Sequence, residues 1–173
     1  KISMSDLVLC TVEPNGVARV SLNRPDRMNA LTSELFDELI RVALELKANP
    51  KLRAVVLHGE GKAFSAGIDL ENLKQVDSPE SRIAPGKLAT RTHGDCNFFQ
   101  YAALVWNDLN VPVIAAIHGV AFGGGLQLAL GADIRLIAPG GEELEGADAK
   151  MARSTAGEHR ARKLCLAPDI FAG

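Results

Sequence analysis

The chain has 173 residues and a mass of 18.4 kDa, which is the length of one domain with a real hydrophobic core. A formal net charge of −2 and a sequence pI near 6.1 exclude a general attraction to nucleic acid or to an anionic membrane surface. No apolar run approaches the ~20 residues that span a bilayer, so we predict neither nucleic-acid nor membrane partners.

The first predicted elements are a β-hairpin and a helix. Residues 6–12 and 16–22 are rich in β-forming residues, and the turn sequence Glu13-Pro14-Asn15-Gly16 joins them. The helix that follows is capped by Thr32 or Ser33 and ends before Asn49-Pro50. Its apolar stripe, at helical spacing, consists of Leu35, Leu39, Val42, Ala43 and Leu46.

The middle of the chain alternates strands with helices. Residues 53–58 predict a strand, and residues 75–92, with two prolines and little periodicity, predict a loop. Helical spacing returns over residues 98–109, and further strands are predicted over residues 113–117 and 133–138. This alternation predicts an α/β fold.

Two glycine-bearing turns each follow a predicted strand. The first reads Phe64-Ser65-Ala66-Gly67-Ile68-Asp69, and the second is the triplet Gly123-Gly124-Gly125, which opens a short apolar helix. Glycines at a helix start leave backbone N–H groups uncovered, and such groups suit an anion or a carbonyl oxygen that is becoming one. Two turns of this kind could supply two N–H groups to one oxygen. The alternative is that the glycines only permit tight turns and close packing.

Together with residues 22–31, LNRPDRMNAL, the two turns resemble the crotonase superfamily, the enoyl-CoA hydratase/isomerase proteins. The resemblance covers residues 6–138, with the motifs in the family's order. It implies a crotonase-like α/β spiral of ββα units, an acyl-CoA-binding core over residues 1–138, and a coenzyme A thioester as substrate with no separate cofactor. It also implies a homotrimer or hexamer, because family members assemble in this way.

The resemblance assigns roles to residues in all three motifs. The N–H groups of Ile68 and Gly124 would form the oxyanion hole that polarises the thioester carbonyl. Arg24 and Arg27 would offer cations to the phosphates of the CoA nucleotide, although arginines that are merely solvated are the alternative. The other positions that match the family's CoA-binding segments are Asn29, Ala30, Ala66, Asp69 and Leu70.

The acid–base residues depart from the family's pattern. Hydratases of the family carry a glutamate shortly after the glycine triplet, where this chain has Gln127. An amide can orient water but cannot take up and return a proton as a carboxylate does. A second family glutamate falls in a segment that this chain does not match, where Glu142, Glu143 and Glu145 are interpreted as a solvated charge run. The sequence leaves two functions open: hydration or isomerisation of an enoyl-CoA, and acyl-CoA binding without turnover.

The resemblance stops at Pro139. Residues 139–173 are rich in alanine, glycine and charged residues and lack a convincing apolar face. We therefore expect a divergent, loosely packed tail, an incomplete C-terminal part of the fold and a weakened oligomer.

The cysteines bear on compartment and metal content. Cys10, Cys96 and Cys165 are odd in number and scattered, which indicates a reducing compartment. His93 and Cys96 have a metal-like spacing, but no second pair accompanies them, so we expect no metal. The N-terminal residues lack the apolar core of a signal peptide, and the prediction is a cytoplasmic protein.

Overall fold

A computed structural model describes residues 6–70 and 88–138, together with the backbone of residues 164–166. Over these residues the chain forms one mixed sheet with helices packed against it. The described strands are β1 (Val8–Val12), β2 (Val17–Leu22), β3 (Ala54–Gly59), β4 (Val113–Ile117), β5 (Ile134–Ile137) and β6 (Leu164–Leu166).

The strands lie side by side in sequence order. β1 pairs antiparallel with β2, and each later pair of neighbours is parallel. Parallel strands need a crossover connection, and this need explains the alternation of strand and helix along the chain. The α/β prediction is confirmed, and β3, β4 and β5 lie within one or two residues of their predicted bounds.

The predicted hairpin is also confirmed. The Glu13 N–H donates to the Val17 carbonyl at 2.8 Å, and the Gly16 N–H donates to the Glu13 carbonyl at 2.9 Å. Gly16 has a φ of 85°, a left-handed conformation that a side chain would strain. The turn therefore fixes the register in which Val8 faces Leu22.

Helix α1 (Ser33–Lys47) buries its predicted stripe completely. Thr32 is its N-cap, and the Thr32 hydroxyl accepts from the Leu35 N–H at 3.3 Å. All five stripe residues are fully buried and share one core with Val55 and Leu57 of β3. Burial of this stripe against the sheet, more than helix propensity, stabilises α1 in its place.

The helix predicted over residues 98–109 is shorter than expected. Helix α2 spans Phe98–Leu104, with a capping box between Asn97 and Gln100, and a 3-10 turn continues over Val105–Asp108. The indole N–H of the buried Trp106 donates to the Ala102 carbonyl at 3.1 Å. In a regular helix that carbonyl would accept from the backbone N–H of Trp106, so the side-chain bond accompanies the change of helix type.

The glycine triplet opens helix α3 (Gly124–Leu130) as predicted, with Gly123 as the N-cap at a φ of 47°. Residues 71–87, which hold most of the predicted 75–92 loop, lie outside the described residues. The tail prediction for residues 139–173 also lies outside them, except that the backbone of β6 pairs with β5. The sequence pattern did not predict this strand.

Candidate functional site

Backbone hydrogen bonds join the first glycine turn to the approach to the second. The Phe64 N–H donates to the His118 carbonyl at 2.8 Å, and the Ser65 N–H donates to the Val120 carbonyl at 3.1 Å. The Phe122 N–H returns a bond to the Ser65 carbonyl at 3.0 Å. The two turns that the sequence places more than 50 residues apart therefore meet as neighbouring segments.

Two glycines allow this close approach. Gly67 has a φ of 87°, and a Cβ there would lie 2.7 Å from the Phe122 carbonyl oxygen. A Cβ on Gly125 would lie 2.6 Å from the Cβ of Ser65. Both distances are shorter than real Cβ contacts, so side chains at these positions would push the turns apart.

The loop over residues 24–31 holds the first turn from its other side. The Ala66 N–H donates to the Met28 carbonyl at 2.8 Å, the Leu31 N–H donates to the Gly67 carbonyl at 2.8 Å, and the Asp69 N–H donates to the Leu31 carbonyl at 3.0 Å. The first turn is thus hydrogen-bonded to residues 118–122 on one side and to residues 28–31 on the other.

Asn29 is the internal support of this loop. Its side chain is fully buried, and its Oδ1 accepts from the Arg24 N–H at 2.8 Å. Its Nδ2 donates to the carbonyls of Glu60 and Ala63, each at 2.8 Å. The buried Ser65 hydroxyl donates to the Asn29 carbonyl at 2.8 Å and accepts from the Gly67 N–H. With φ values of 47° and 54° at Met28 and Asn29, the loop has a left-handed backbone that these bonds stabilise.

The N–H groups of Ile68 and Gly124 remain outside this network. Among the described residues, neither N–H has a hydrogen-bond acceptor, although the N–H groups of Gly67, Asp69 and Gly125 all have one. A Cβ built on Gly124 would lie 3.9 Å from the Ile68 nitrogen, and one built on Gly67 would lie 3.7 Å from the Gly124 nitrogen. The structure therefore brings together the two donors that the sequence singled out.

A cavity of about 550 Å³ opens beside these two residues. Its volume is in the range of small-molecule sites, which are mostly apolar with a few polar groups. Ile68, Gly124 and Gln127 all line it. Its apolar wall comes from α1, α2 and α3 and consists of Phe36, Phe99, Ala103, Leu104, Leu128 and Leu130.

Most of the charged and polar side chains that line the cavity come from one stretch of the chain. Arg91, Asp95 and Cys96 come from the segment before α2, and Gln100 comes from its first turn. The Arg91 guanidinium donates to the Gln100 amide oxygen at 3.0 Å. Arg91 and Asp95 were not predicted as site residues, because a single exposed residue in an aperiodic stretch gives no motif.

The two arginines of the loop have different environments. Arg24 donates to the Ala30 carbonyl and forms an ion pair with Asp69 at 3.0 Å, with side chains only 20% and 13% exposed. The Arg27 side chain is exposed and has no hydrogen bond or ion pair to a described residue, although the Arg27 N–H donates to the Arg24 carbonyl at 3.0 Å. Arg24 thus ties the loop to the first turn, a role that the sequence did not show, and phosphate binding by either arginine stays a prediction.

The remaining predicted CoA-binding residues lie along the joined loop and turn. Asn29 is buried within the protein, and the main chains of Ala30, Ala66 and Asp69 make the internal bonds described above. Leu70 is 72% exposed beside them. Only Leu70 of this group presents an uncovered side chain.

The buried thiol of Cys10 and the ring of His93 both pack against other residues of the protein. Cys10 is buried in the core, and burial raises the pKa of its thiol to about 11, so it is a packing residue. His93 stacks on the Tyr101 ring at 4.5 Å. No group of three or more potential metal ligands occurs within residues 6–70 and 88–138. None of the helices described is both long and apolar enough to cross a membrane.

Comparison with protein families gives a match to the enoyl-CoA hydratase/isomerase model over residues 12–141. YngF of Bacillus subtilis is 37% identical over 134 residues, which are 77% of this chain and 47% of that protein. The peroxisomal Delta(3,5)-Delta(2,4)-dienoyl-CoA isomerase of Arabidopsis thaliana is 34% identical over 122 residues, 70% of this chain and 44% of that protein. The chain spans less than half the length of these relatives.

The solved structures most similar in fold include further enoyl-CoA hydratase/isomerase proteins. An enoyl-CoA hydratase from Shewanella pealeana superposes with a TM-score of 0.65 at 28% identity, covering 76% of this chain and 46% of that one. An enoyl-CoA hydratase/isomerase from Marinobacter aquaeolei superposes with a TM-score of 0.66 at 27% identity, covering 78% and 50%.

Proposed function

The chain belongs to the enoyl-CoA hydratase/isomerase family and has the crotonase fold, and on that premise we propose that its cavity binds an acyl-CoA thioester. In this proposal the N–H groups of Ile68 and Gly124 donate to the thioester carbonyl oxygen. The polarised thioester then undergoes hydration or isomerisation of the adjacent double bond.

The observation that carries the proposal is the pair of N–H groups beside one cavity that have no acceptor within residues 6–70 and 88–138. Attack at the β-carbon of an enoyl thioester, or removal of an α-proton, moves negative charge onto the carbonyl oxygen. Donors fixed in place before the reaction stabilise that charge without reorganising, and one such donor contributes roughly 10²–10³ in rate. The hydrogen bonds on both sides of the first turn supply this fixed geometry.

The CoA part would lie along the loop and turn that hold Ile68. Arg27 supplies an exposed cation for phosphate, and Leu70 supplies an exposed apolar side chain beside the main chain of Ala66 and Asp69. Arg24, Asn29 and Ala30 act in this proposal by keeping the loop in shape. The homotrimeric or hexameric assembly and the cytoplasmic location stay predictions of the sequence.

A second candidate function is acyl-CoA binding without turnover. It is favoured by Gln127, which lines the cavity where the family's hydratases have a glutamate. In this case the N–H pair would recognise the thioester carbonyl, and no proton transfer would follow.

Calorimetry with butyryl-CoA, ATP and NAD tests the binding proposal on the full chain. We expect butyryl-CoA to bind more tightly than ATP or NAD. A thioether analogue that lacks the carbonyl is the matched ligand, and it should bind more weakly because nothing accepts from the two N–H groups. Tighter binding of NAD, or equal binding of thioester and thioether, would contradict the proposal.

The infrared stretch of a ¹³C-labelled thioester carbonyl measures polarisation directly. Donation from two N–H groups weakens the C=O bond, so its frequency should fall on binding. An unshifted band in a saturated complex would contradict the proposed role of Ile68 and Gly124.

A further inference from the structure

One carboxylate shares the cavity with the two N–H donors. Within the described residues, Asp95 is the only aspartate or glutamate that lines the cavity, and Ile68, Gly124 and Gln127 line it as well. Proton transfer needs a group that can both accept and return a proton, which an amide cannot do. Asp95 is therefore the described carboxylate that both lines the cavity and can exchange a proton with a bound substrate.

The backbone around Asp95 holds it in a defined place. Asp95 lies at the tip of a tight turn in which the His93 N–H donates to the Cys96 carbonyl at 3.0 Å and the Cys96 N–H donates back at 3.1 Å. Gly94 has a φ of 61°, which such a turn requires, and a Cβ there would meet nothing within 4 Å.

Side-chain contacts attach this turn to α2. The His93 ring stacks on Tyr101 with an interplanar angle of 15°, and Asn97 donates to the Leu88 carbonyl at 2.8 Å while capping the helix. The carboxylate is thereby carried at the end of a helix that also supplies part of the cavity's apolar wall. A positioned base of this kind contributes more than a mobile one.

We propose that Asp95 is the catalytic base that removes and returns the substrate proton in this cavity, an inference that rests on the proposed function. The carboxylate takes the α-proton of a 3-enoyl-CoA, and the C–H electron pair becomes the new C=C bond of a dienolate. The thioester π pair moves onto the oxygen that Ile68 and Gly124 hold. The dienolate then takes the same proton at its γ-carbon, the carbonyl re-forms, and the product is a 2-enoyl-CoA.

This inference selects isomerisation over hydration. One carboxylate is sufficient to move one proton between two carbons of a bound substrate, and no water or other reactant is consumed. Hydration must in addition activate and position a water molecule, which Gln127 can orient but not deprotonate. The inference also favours catalysis over binding without turnover.

The test follows proton exchange separately from binding. Butyryl-CoA has an α-proton and no double bond, so deuterium uptake from D₂O at its α-carbon reports proton removal alone. Asp95→Asn should lower this exchange, and the isomerisation of a 3-enoyl-CoA, by about 10²–10⁴-fold. Its affinity for butyryl-CoA should be unchanged, because the amide keeps the size and polarity of the side chain.

Two variants control the measurement. Asp108→Asn changes an exposed carboxylate outside the cavity, which forms an ion pair with Lys47 at 3.5 Å, and should leave exchange and isomerisation unchanged. Asp95→Glu keeps a carboxylate and should retain part of the exchange that Asp95→Asn loses.

The outcomes separate the two proposals. Wild-type exchange in Asp95→Asn, or a wild-type chain that binds butyryl-CoA without exchanging its α-proton, would overturn the role of Asp95 and leave acyl-CoA binding intact. Failure of the wild-type chain to bind butyryl-CoA would overturn the proposed function, and the inference on Asp95 with it.

Discussion

The polar groups that line the cavity are of two kinds. The backbone part is the pair of N–H groups of Ile68 and Gly124, and the segments around it are joined by main-chain hydrogen bonds from three parts of the chain. The side-chain part consists of Asp95, at the tip of one short turn, and Gln127, exposed on α3. The backbone part depends on the fold, and the side-chain part depends on residue identity.

This difference separates two chemical tasks. Charge on a carbonyl oxygen needs donors at fixed positions, and a backbone N–H is present whatever the side chain is. A proton transfer needs a particular side chain, and a single substitution can remove it or move it elsewhere. One backbone arrangement can therefore support different reactions according to which side chains face it.

The largest expected effect concerns Gln127, in the side-chain part, and the rate of hydration. Hydration of crotonyl-CoA by this chain should be about 10²–10⁴-fold slower than that by a family member with a glutamate at the position of Gln127, because water activation lacks a base there. Gln127→Glu should raise the rate, and Gln127→Ala should change it little. Loss of the enoyl absorbance measures hydration. A fast wild-type rate would show that another group activates water.

The next effect concerns the Gly124 N–H, in the backbone part, and the rate of isomerisation. Gly124→Pro removes the N–H and should lower isomerisation by roughly 10²–10³-fold, the contribution of one oxyanion donor. Gly124→Ala keeps the N–H, and its Cβ would lie 3.1 Å from Leu31 Cδ1, so it should retain far more activity. Circular dichroism must show that both variants fold. Equal rates in the two variants would mean that the Gly124 N–H does not act on the substrate.

Much of the fold could be predicted because local signals agreed with the tertiary structure. The cap at Thr32 and the α1 stripe, the hairpin turn at Gly16 and the strand before the triplet all reappear. Over residues 98–109 the α-helix ends at Leu104 and a 3-10 turn follows, accompanied by the indole bond of Trp106 to Ala102, which helical periodicity does not encode. The pairing of β6 was not predicted because a three-residue strand has too little pattern to recognise.

The approach of the two glycine turns was predictable from the sequence, and the side chains around them were not. Gly67 and Gly124 are visible in a sequence because glycine marks close approach. The buried links of Asn29, Ser65 and Arg24 require knowledge of which distant segment lies alongside. Asp95 enters the cavity only through tertiary contacts, so no spacing rule indicates it.

A smaller effect is expected where a side chain holds the backbone part together. Arg24→Met removes the hydrogen bond to Ala30 and the ion pair with Asp69, and both side chains of that pair are mostly buried. Loss of a hydrogen bond to a charged group at such a site costs about 1.5–3 kcal/mol of unfolding free energy. Urea unfolding at neutral pH measures this loss. A variant as stable as the wild type would show that the contacts of Arg24 with Ala30 and Asp69 do not stabilise the fold.

Arg27→Met is the matched change in the same loop and should have the smallest effect, of a different kind. The Arg27 side chain is exposed and has no ion pair to a described residue, so its loss should change the unfolding free energy by no more than about 0.5 kcal/mol. Affinity for butyryl-CoA should fall by the value of one exposed ion pair, about 0.2–1 kcal/mol. The difference from the wild type should shrink as salt rises, because screening acts over about 10 Å at 0.1 M. Calorimetry at low and high salt measures both trends, and a loss of stability without a loss of affinity would place Arg27 with Arg24 in the support of the loop.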